Sequence, residues 1–432
     1  MMKKCLLLLT AILLLCLCSC SISDYLPVHD TPETVNPYLE VVPDHLTYSE
    51  GYEPVTSSYA YNSLPLEGEK QLYTKMLDVC YDISPRKDEE LERYAMPQVE
   101  LNGYSLTEAQ VRTATKALTD DHPEIFWLTG TIGYYSDESS TVIQVYSSFS
   151  PEEIDERVNA VRSAANEFYA AVPDGLSEFE REVMVHDYLI EHVAYDDSVD
   201  TINFDNNSPD IYTVYGALVK QVSVCEGYAR AFQMLMNGLG VDSVGLMGSS
   251  QDQMHMWNAA KIDGTWYQTD VTWDDQEQTY ARHIFCNVSD DFMYEDHTLS
   301  PLFTELSDSE INGEDGDYSA SVMNIFVPEC TDGSKSYYAQ ESPRLSDYDG
   351  ADVKSALLSA AEKQEEYFVF YIDESLDYDS TVSLLFTDYP QYFFDYLNAV
   401  NNTLSDYSID ASNASYFTHK RSRIVAVELH YY

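Results

Sequence analysis

Residues 254–275 read MHMWNAAKIDGTWYQTDVTWDD. Two strand-like runs flank Asp263-Gly264, a dipeptide favoured in two-residue type I′ hairpin turns. That turn sets Ile262 opposite Thr265. Counting outward, Trp257 faces Asp270 and His255 faces Thr272. Because side chains alternate between faces along a strand, His255 and Asp270 become diagonal neighbours on one face. Diagonal Cα atoms in a hairpin lie about 7–8 Å apart, a gap that an imidazole and a carboxylate can close. A loop one residue longer would turn one of the two away. The stretch therefore predicts an antiparallel hairpin carrying a His–Asp pair.

Upstream, VSVCEGYARAF (222–232) passes from a short β-branched run into a helical pattern. Tyr228, Ala231, Phe232, Leu235 and Leu239 share one helix face, and Gly238 and Gly240 end it. Cys225 falls at the helix N-terminus, where unpaired N–H groups and the helix dipole favour a thiolate and suit an oxyanion. A lone cysteine is more often a small buried hydrophobe. His255 or Asp270 alone reads as an ordinary hairpin residue. Together the three have the make-up of an activated nucleophile. His255 takes the thiol proton and returns it to the leaving group, while Asp270 sets the imidazole tautomer and stabilises its charge.

The chain of 432 residues carries 74 acidic and 23 basic side chains, a formal charge of −51. Such a surface repels phosphate backbones, which excludes nucleic acid as a partner. The first twenty residues read as an address: a basic start, an apolar run from Cys5 to Cys18, then Leu17-Cys18-Ser19-Cys20. This has the form of a bacterial lipobox, with the small Ser19 before a lipidated Cys20. Cys18 fits less well because the bulky Leu17 precedes it. The expected location is extracytoplasmic, at the cell surface, with acyl chains on Cys20 holding the protein to a bacterial membrane. Cys80, Cys225, Cys286 and Cys330 are too few and too scattered for a disulfide framework, which leaves room for one disulfide among Cys80, Cys286 and Cys330.

Organisation follows from composition and caps. Residues 21–66, rich in Pro, Ser, Tyr and acids, read as a disordered tether. Residues 67–153 read as an N-terminal α+β region, with a capping box at Ser105 and Glu108 and a strand in TVIQVYSSF (141–149). Residues 154–306 form the central domain, with helices announced by capping boxes at Ser150/Glu153 and Ser177/Glu180. The acidic loop DDSVDTINFDNNSPD (196–210) lacks the glycine of a calcium loop and reads as solvated. Residues 307–432 comprise a linker and a C-terminal α+β region closing on RIVAVELHYY (423–432), an edge or terminal strand. TDDHPEIFWL (119–128) and FTDYPQYFFDYL (386–397) echo each other, which suggests related outer modules.

VCEGYARAF, HMWN and TWYQTDVTWDD together resemble the transglutaminase-like superfamily, with Cys, His and Asp in that family's order at Cys225, His255 and Asp270. The resemblance runs over roughly residues 155–305 and takes in HDYLIEHVAYD (186–196) and HIFCNVSDDFMYEDHT (283–298). It implies an α+β, papain-like core, in which a helix bearing the Cys packs on an antiparallel sheet bearing His and Asp, flanked by two smaller α+β regions. It further implies a cysteine protease or amidase acting on peptides or proteins through a thioester at Cys225. The alternatives are a cross-linking transglutaminase and a non-catalytic surface binding module that keeps the fold. A second oxyanion donor upstream of the Cys is implied too: Gln221 is chemically suited, and Tyr215 and Tyr195 are others. No cofactor or metal is expected. His283 and Cys286 have metal-like spacing but read as an interface histidine and a core cysteine, and Trp257, Trp266 and Trp273 read as core around the hairpin.

Overall fold

The structure, a computed structural model, describes residues 58–199, 208–313, 322–412 and 415–432. The expected signal peptide, the expected lipidation site Cys20 and most of the expected tether lie outside them, as do the middles of the acidic loop and of the expected linker. No helix among the described residues is long and apolar enough to cross a membrane.

The fold is α+β. Helices α1 (Tyr59–Ser63) and α2 (Glu67–Val79) precede β1 (Lys87–Asp88), β2 (Arg93–Ala95) and β3 (Val99–Asn102). Helix α3 (Glu108–Asp121), β4 (Leu128–Ser136) and β5 (Ser140–Ser147) complete this region. Its sheet is antiparallel, with β5 pairing β2, β3 and β4. Helix α3 starts later than the expected Ser105 box. Thr107 is the cap, accepting from the Gln110 N–H while the Gln110 amide oxygen accepts from the Thr107 N–H, so both orphan donors are met.

The central region opens with α4 (Pro151–Ala171) and α5 (Glu178–His192), each capped by the expected serine and glutamate. Strand β6 (Ala194–Tyr195) lies parallel to β7 (Val222–Ser223), which runs into α6 (Cys225–Gly238). Next come β8 (Ser243–Ser250), β9 (Gln253–Ile262), β10 (Thr265–Thr269), the single turn α7 (Val271–Asp274) and β11 (His297–Leu299). They form an antiparallel sheet in the order β10-β9-β8-β11. The hairpin turn has the expected form, with φ of 51° at Asp263 and 84° at Gly264, and Ile262 pairs with Thr265.

Pairing stops at Asn258–Thr269, so His255 does not face Thr272. Its partner is Gly248 on β8. The chain leaves the sheet because the Asp270 carboxylate caps α7, accepting the Trp273 N–H at 3.1 Å. Asp270 keeps an extended backbone (φ −123°, ψ 92°), which leaves its side chain on the face that alternation assigns.

The C-terminal region contains β12 (Arg344–Leu345), α8 (Ala351–Glu362), β13 (Tyr367–Ile372), α9 (Tyr378–Phe386), α10 (Tyr392–Asn401), β14 (Ser415–His419) and β15 (Ile424–Glu428). Strand β15 is interior, between β13 and β14, rather than an edge. Its run Ile424 to Val427 is buried residue by residue, as a strand covered on both faces requires. The two outer regions are unlike each other: the C-terminal sheet contains a parallel pair, β12 with β13. The echoed segments also differ, one leading into β4 and the other into α10.

The expected region boundaries shift. One hydrophobic core runs from Ala60 to Ile325 and joins the N-terminal helices to α6. Arg230 and Gln233 of α6 donate to the carbonyls of Thr119 (3.1 Å) and Asp120 (2.7 Å) on α3. Residue 66 does not begin the folded part. Ala60 and Leu64 are buried, and Asp121 accepts the N–H groups of Ala60 and Tyr61 at 3.0 and 2.8 Å. Nor does a linker begin at residue 307, since Asp308–Ile311 is helical and Ile311 lies in that core. The C-terminal region has its own core, from Leu345 to Leu429. Cys80, Cys225, Cys286 and Cys330 are all unpaired.

Residues 154–306 produced alone would bare the side of α6 that packs on α3. They are expected to show no cooperative urea transition, whereas a chain beginning at residue 58 shows one. A cooperative transition for the fragment would restore the boundary at 153.

Candidate active site

Cys225 is the first residue of α6. Its N–H therefore has no acceptor within the helix. The helix can start there because residue 227 is glycine. A Cβ at Gly227 would stand 1.9 Å from Ser223 Oγ and 2.8 Å from the Ile211 carbonyl. The preceding chain thus crosses hard against the first turn and leaves the half-buried thiol facing outward. Asn258, just after the His-Met-Trp run, donates to the Ala229 and Val244 carbonyls at 2.9 and 3.3 Å. These bonds pin α6 onto the sheet that carries His255.

His255 Nε2 lies 2.6 Å from Asp270 Oδ2, and the Cys225 thiol is within hydrogen-bonding reach of the same ring. With Nε2 committed to the carboxylate, Nδ1 is the nitrogen left for the thiol. Burial alone would strip the proton from His255. The Asp270 charge and hydrogen bond, helped by Cys225, overcome this and hold its pKa up at about 10. Burial would likewise neutralise Asp270, yet His255 and His297 keep its carboxyl well below the usual carboxylate range.

Two features around the pair escape a sequence reading. His297 of β11 places Nε2 at 2.9 Å from Asp270 Oδ2. It closes the quoted run HIFCNVSDDFMYEDHT, but only the pairing of β11 with β8 carries it to the hairpin. The second feature is a brace from α5. His186 Nε2 meets Asp274 Oδ2 at 3.1 Å, and Glu182 accepts from Thr269 Oγ1 at 2.9 Å. Asp274 in turn accepts the Phe285 N–H. Helix α5 thus clamps α7, whose cap is Asp270, and the end of β10 before it. Burial opposes the His186 proton, but Asp187 and Asp274 hold it to a pKa of about 9.

Gln221 does not join the thiol. It ends the π-helical turn Gly216–Lys220 with φ 56°, is exposed, and is not among the residues lining the cleft beside Cys225. Its backbone matters instead: the Gln221 carbonyl accepts the Ala194 N–H at 2.9 Å, setting β6 beside β7. That pairing brings Tyr195 into the cleft. Burial and the nearby Cys225 push the Tyr195 phenol up to about 12, so it remains a donor at neutral pH. Tyr215 lies elsewhere, stacked on Phe126 and under Arg157.

The cleft beside Cys225 encloses about 630 Å³, and Val224, Met247 and Met254 contribute to its walls. A second, more polar lobe of about 500 Å³ holds Asp197, Gln253 and Trp273. Tyr195, Gln253, Met254 and His255 line both lobes. Trp257 is buried beneath the hairpin, and Trp266 packs on Tyr59. Among the described residues, two groups bring possible metal-ligand atoms within 4.8 Å of one another: His186, Asp187 and His283, and His255, Asp270 and His297. In both, hydrogen bonds between the members account for the approach. Cys286 is fully buried in neither group, as a core cysteine.

Residues 163–271 match the model of a family described as the transglutaminase-like superfamily. The chain thus carries a transglutaminase-like domain, and the match includes Cys225, His255 and Asp270. No curated protein matches the sequence. Among solved structures, the chain is similar to a protein from Cytophaga hutchinsonii provisionally described as a cysteine protease. The identity is 13%, with 33% of this chain and 61% of that one covered, at a TM-score of 0.21. It is also similar to a protein described as a TGase: 13% identity, 48% of this chain and 58% of that one, TM-score 0.26. The chain spans about three fifths of the length of each.

Asp270→Asn keeps the shape but removes the charge that opposes burial at His255. The His255 ring resonance is expected to titrate near pH 10 in the unmodified protein. In the variant it moves several units down, toward the free-imidazole value of about 6.5. Because the folded pKa is raised, the stability it contributes is complete below about 6.5 and lost as pH rises through about 10. An unmodified protein titrating near 6.5 would show that the carboxylate does not hold the proton.

Proposed function

We propose that the transglutaminase-like domain is a cysteine-dependent acyl-transfer enzyme that hydrolyses peptide or side-chain amide bonds. The observation that carries this reading is the line Cys225–His255–Asp270, with Cys225 and His255 opening on a two-lobed cleft. Cys225 thiolate adds to the amide carbonyl carbon. The oxygen of the tetrahedral intermediate takes the Cys225 N–H and the Tyr195 hydroxyl as donors. The C–N bond then breaks, the His255 imidazolium protonates the departing amine, and a thioester remains on Cys225. Water, deprotonated by His255, adds to the thioester and frees the carboxylic acid and the thiolate. Asp270 stays ionised throughout and steadies the charge on His255. Two open lobes favour water as the acceptor, because solvent reaches the thioester.

We further propose that the protein acts at a bacterial cell surface, held to the membrane by acyl chains on Cys20, with peptides or proteins as substrates. The lipobox pattern Leu17 to Cys20 supports this. In a bacterial host, labelled palmitate is expected to enter the protein and to be lost in Cys20→Ala, with the variant released into the soluble fraction. Equal labelling of both would refute the anchor.

Peptide-amide hydrolysis and incorporation of a labelled amine into a glutamine-containing protein discriminate the chemistry. Cys225→Ala is expected to abolish activity. Tyr195→Phe is expected to lower kcat about 10²-fold, the loss typical of one oxyanion donor. Amine incorporation without hydrolysis would make the protein a cross-linking enzyme. Activity persisting in Cys225→Ala would end the cysteine reading.

A further inference from the structure

Asp270 Oδ2 is shared by two imidazoles: His255 Nε2 at 2.6 Å and His297 Nε2 at 2.9 Å. The second oxygen, Oδ1, accepts the Trp273 N–H at 3.1 Å. Nothing in the proposed chemistry calls for a second histidine on this carboxylate, and His297 touches neither the cleft nor its second lobe. Its side chain is wholly buried. The ring sits in an aromatic box, with centroids at 4.8 Å from Trp273, 5.0 Å from Trp257 and 5.8 Å from Phe285. Its other nitrogen, Nδ1, is buried and has no hydrogen-bond partner among the described residues.

A buried polar atom left without a partner calls for an explanation. Phenylalanine or leucine would suit such a box without leaving a bare nitrogen. What they lack is the Nε2–H. Donation to Asp270 requires the proton on Nε2, and Nδ1, facing only rings, is then the bare lone pair. The box therefore selects one tautomer and leaves one bond for the ring to make.

We propose that His297 is a positioning residue that completes a four-member Cys225–His255–Asp270–His297 system. Its Nε2–H keeps the buried Asp270 carboxylate ionised and fixes the oxygen that His255 reads. The Trp273 N–H steadies Oδ1. On Oδ2, a carboxylate met by His255 alone takes up a proton more readily on acidification and releases the imidazolium, and the second donor on that oxygen opposes this. The other ionisable groups acting on this carboxylate and its imidazole are Cys225 from α6, Tyr195 from β6 and Asp274 one turn along α7. Two of these are anionic or become so, which adds to the need for a donor. His297 comes from β11, beyond the stretch that matches the family model. The inference rests on reading Cys225, His255 and Asp270 as a working set.

The test uses the full chain and needs no substrate for its main readout. In the unmodified protein, nitrogen NMR is expected to show His297 as the Nε2–H tautomer with a strongly downfield Nε2 proton. An Nδ1–H tautomer overturns the proposal. The second readout is the acid edge at which the Asp270–His255 pair comes apart, followed through the His255 ring resonance. In His297→Phe, which keeps the box filled, that edge moves up by about one pH unit, the size of one charge-assisted hydrogen bond. In His297→Gln, whose amide N–H can replace the donor, it stays near its original place. A merely structural histidine would leave the edge unmoved in a folded His297→Phe, and that result overturns the proposal. So does a glutamine variant shifted as far as the phenylalanine one. Thermal unfolding checks that both variants fold, and the tautomer measurement decides the matter if neither does. Should the edge behave as expected while no amide is hydrolysed, the four-member system stands and the acyl-transfer reading fails.

Discussion

The buried Asp270 carboxylate is the constraint on which the site depends. An ionised carboxylate away from water is tolerated only when paired and hydrogen-bonded. Here the pairing comes from three directions: β9 supplies His255, β11 supplies His297, and the first turn of α7 supplies the Trp273 N–H. Each requirement shapes the chain around it. Strand β10 must stop at Thr269 so that the next residue can cap a helix. Strand β11 must return to the sheet edge from a distant loop. Helix α5 must reach across to hold α7 and the end of β10, which it does through His186 on Asp274 and Glu182 on Thr269.

The thiol is placed by a different set of contacts. Gly227 admits the crossing chain under α6, Asn258 ties α6 to the sheet, and α3 receives Arg230 and Gln233 from its far side. The N-terminal region is therefore part of the support of the site and not an appendage, because α3 accepts the hydrogen bonds of Arg230 and Gln233 and shares one core with α6. The C-terminal region stands apart with its own core and meets the central sheet through a smaller cluster that includes Trp257, Tyr371 and Ile424.

Local chemistry was legible where one short stretch contains its own geometry. The Asp263-Gly264 turn fixes a register, register fixes which side chains share a face, and the His255–Asp270 contact follows. The serine–glutamate caps at Ser150 and Ser177 are equally self-contained. Reading failed where a residue acts through partners distant in sequence. Residues 59–66 look like a polar tether until Asp121 is seen to cap them. Gln221 looks like an oxyanion donor because of its amide, whereas its backbone carbonyl is what sets β6 and so places Tyr195. His297 gave no signal of its own, since nothing local tells a strand-end histidine from one that meets a carboxylate across the sheet.

The sequence by itself determined the α+β class, the helix that opens on Cys225, and the hairpin that brings His255 to Asp270. These follow from periodicity, caps and a two-residue turn, all of which act over a few residues. Only the tertiary structure decided that α6 packs between two regions sharing one core, that Tyr195 rather than Gln221 lines the cleft, and that His297 closes on Asp270. The reason is physical. A backbone propensity is a property of neighbours along the chain. The cost of burying a charge, and the partners that meet it, belong to whatever the folded chain brings within hydrogen-bonding distance.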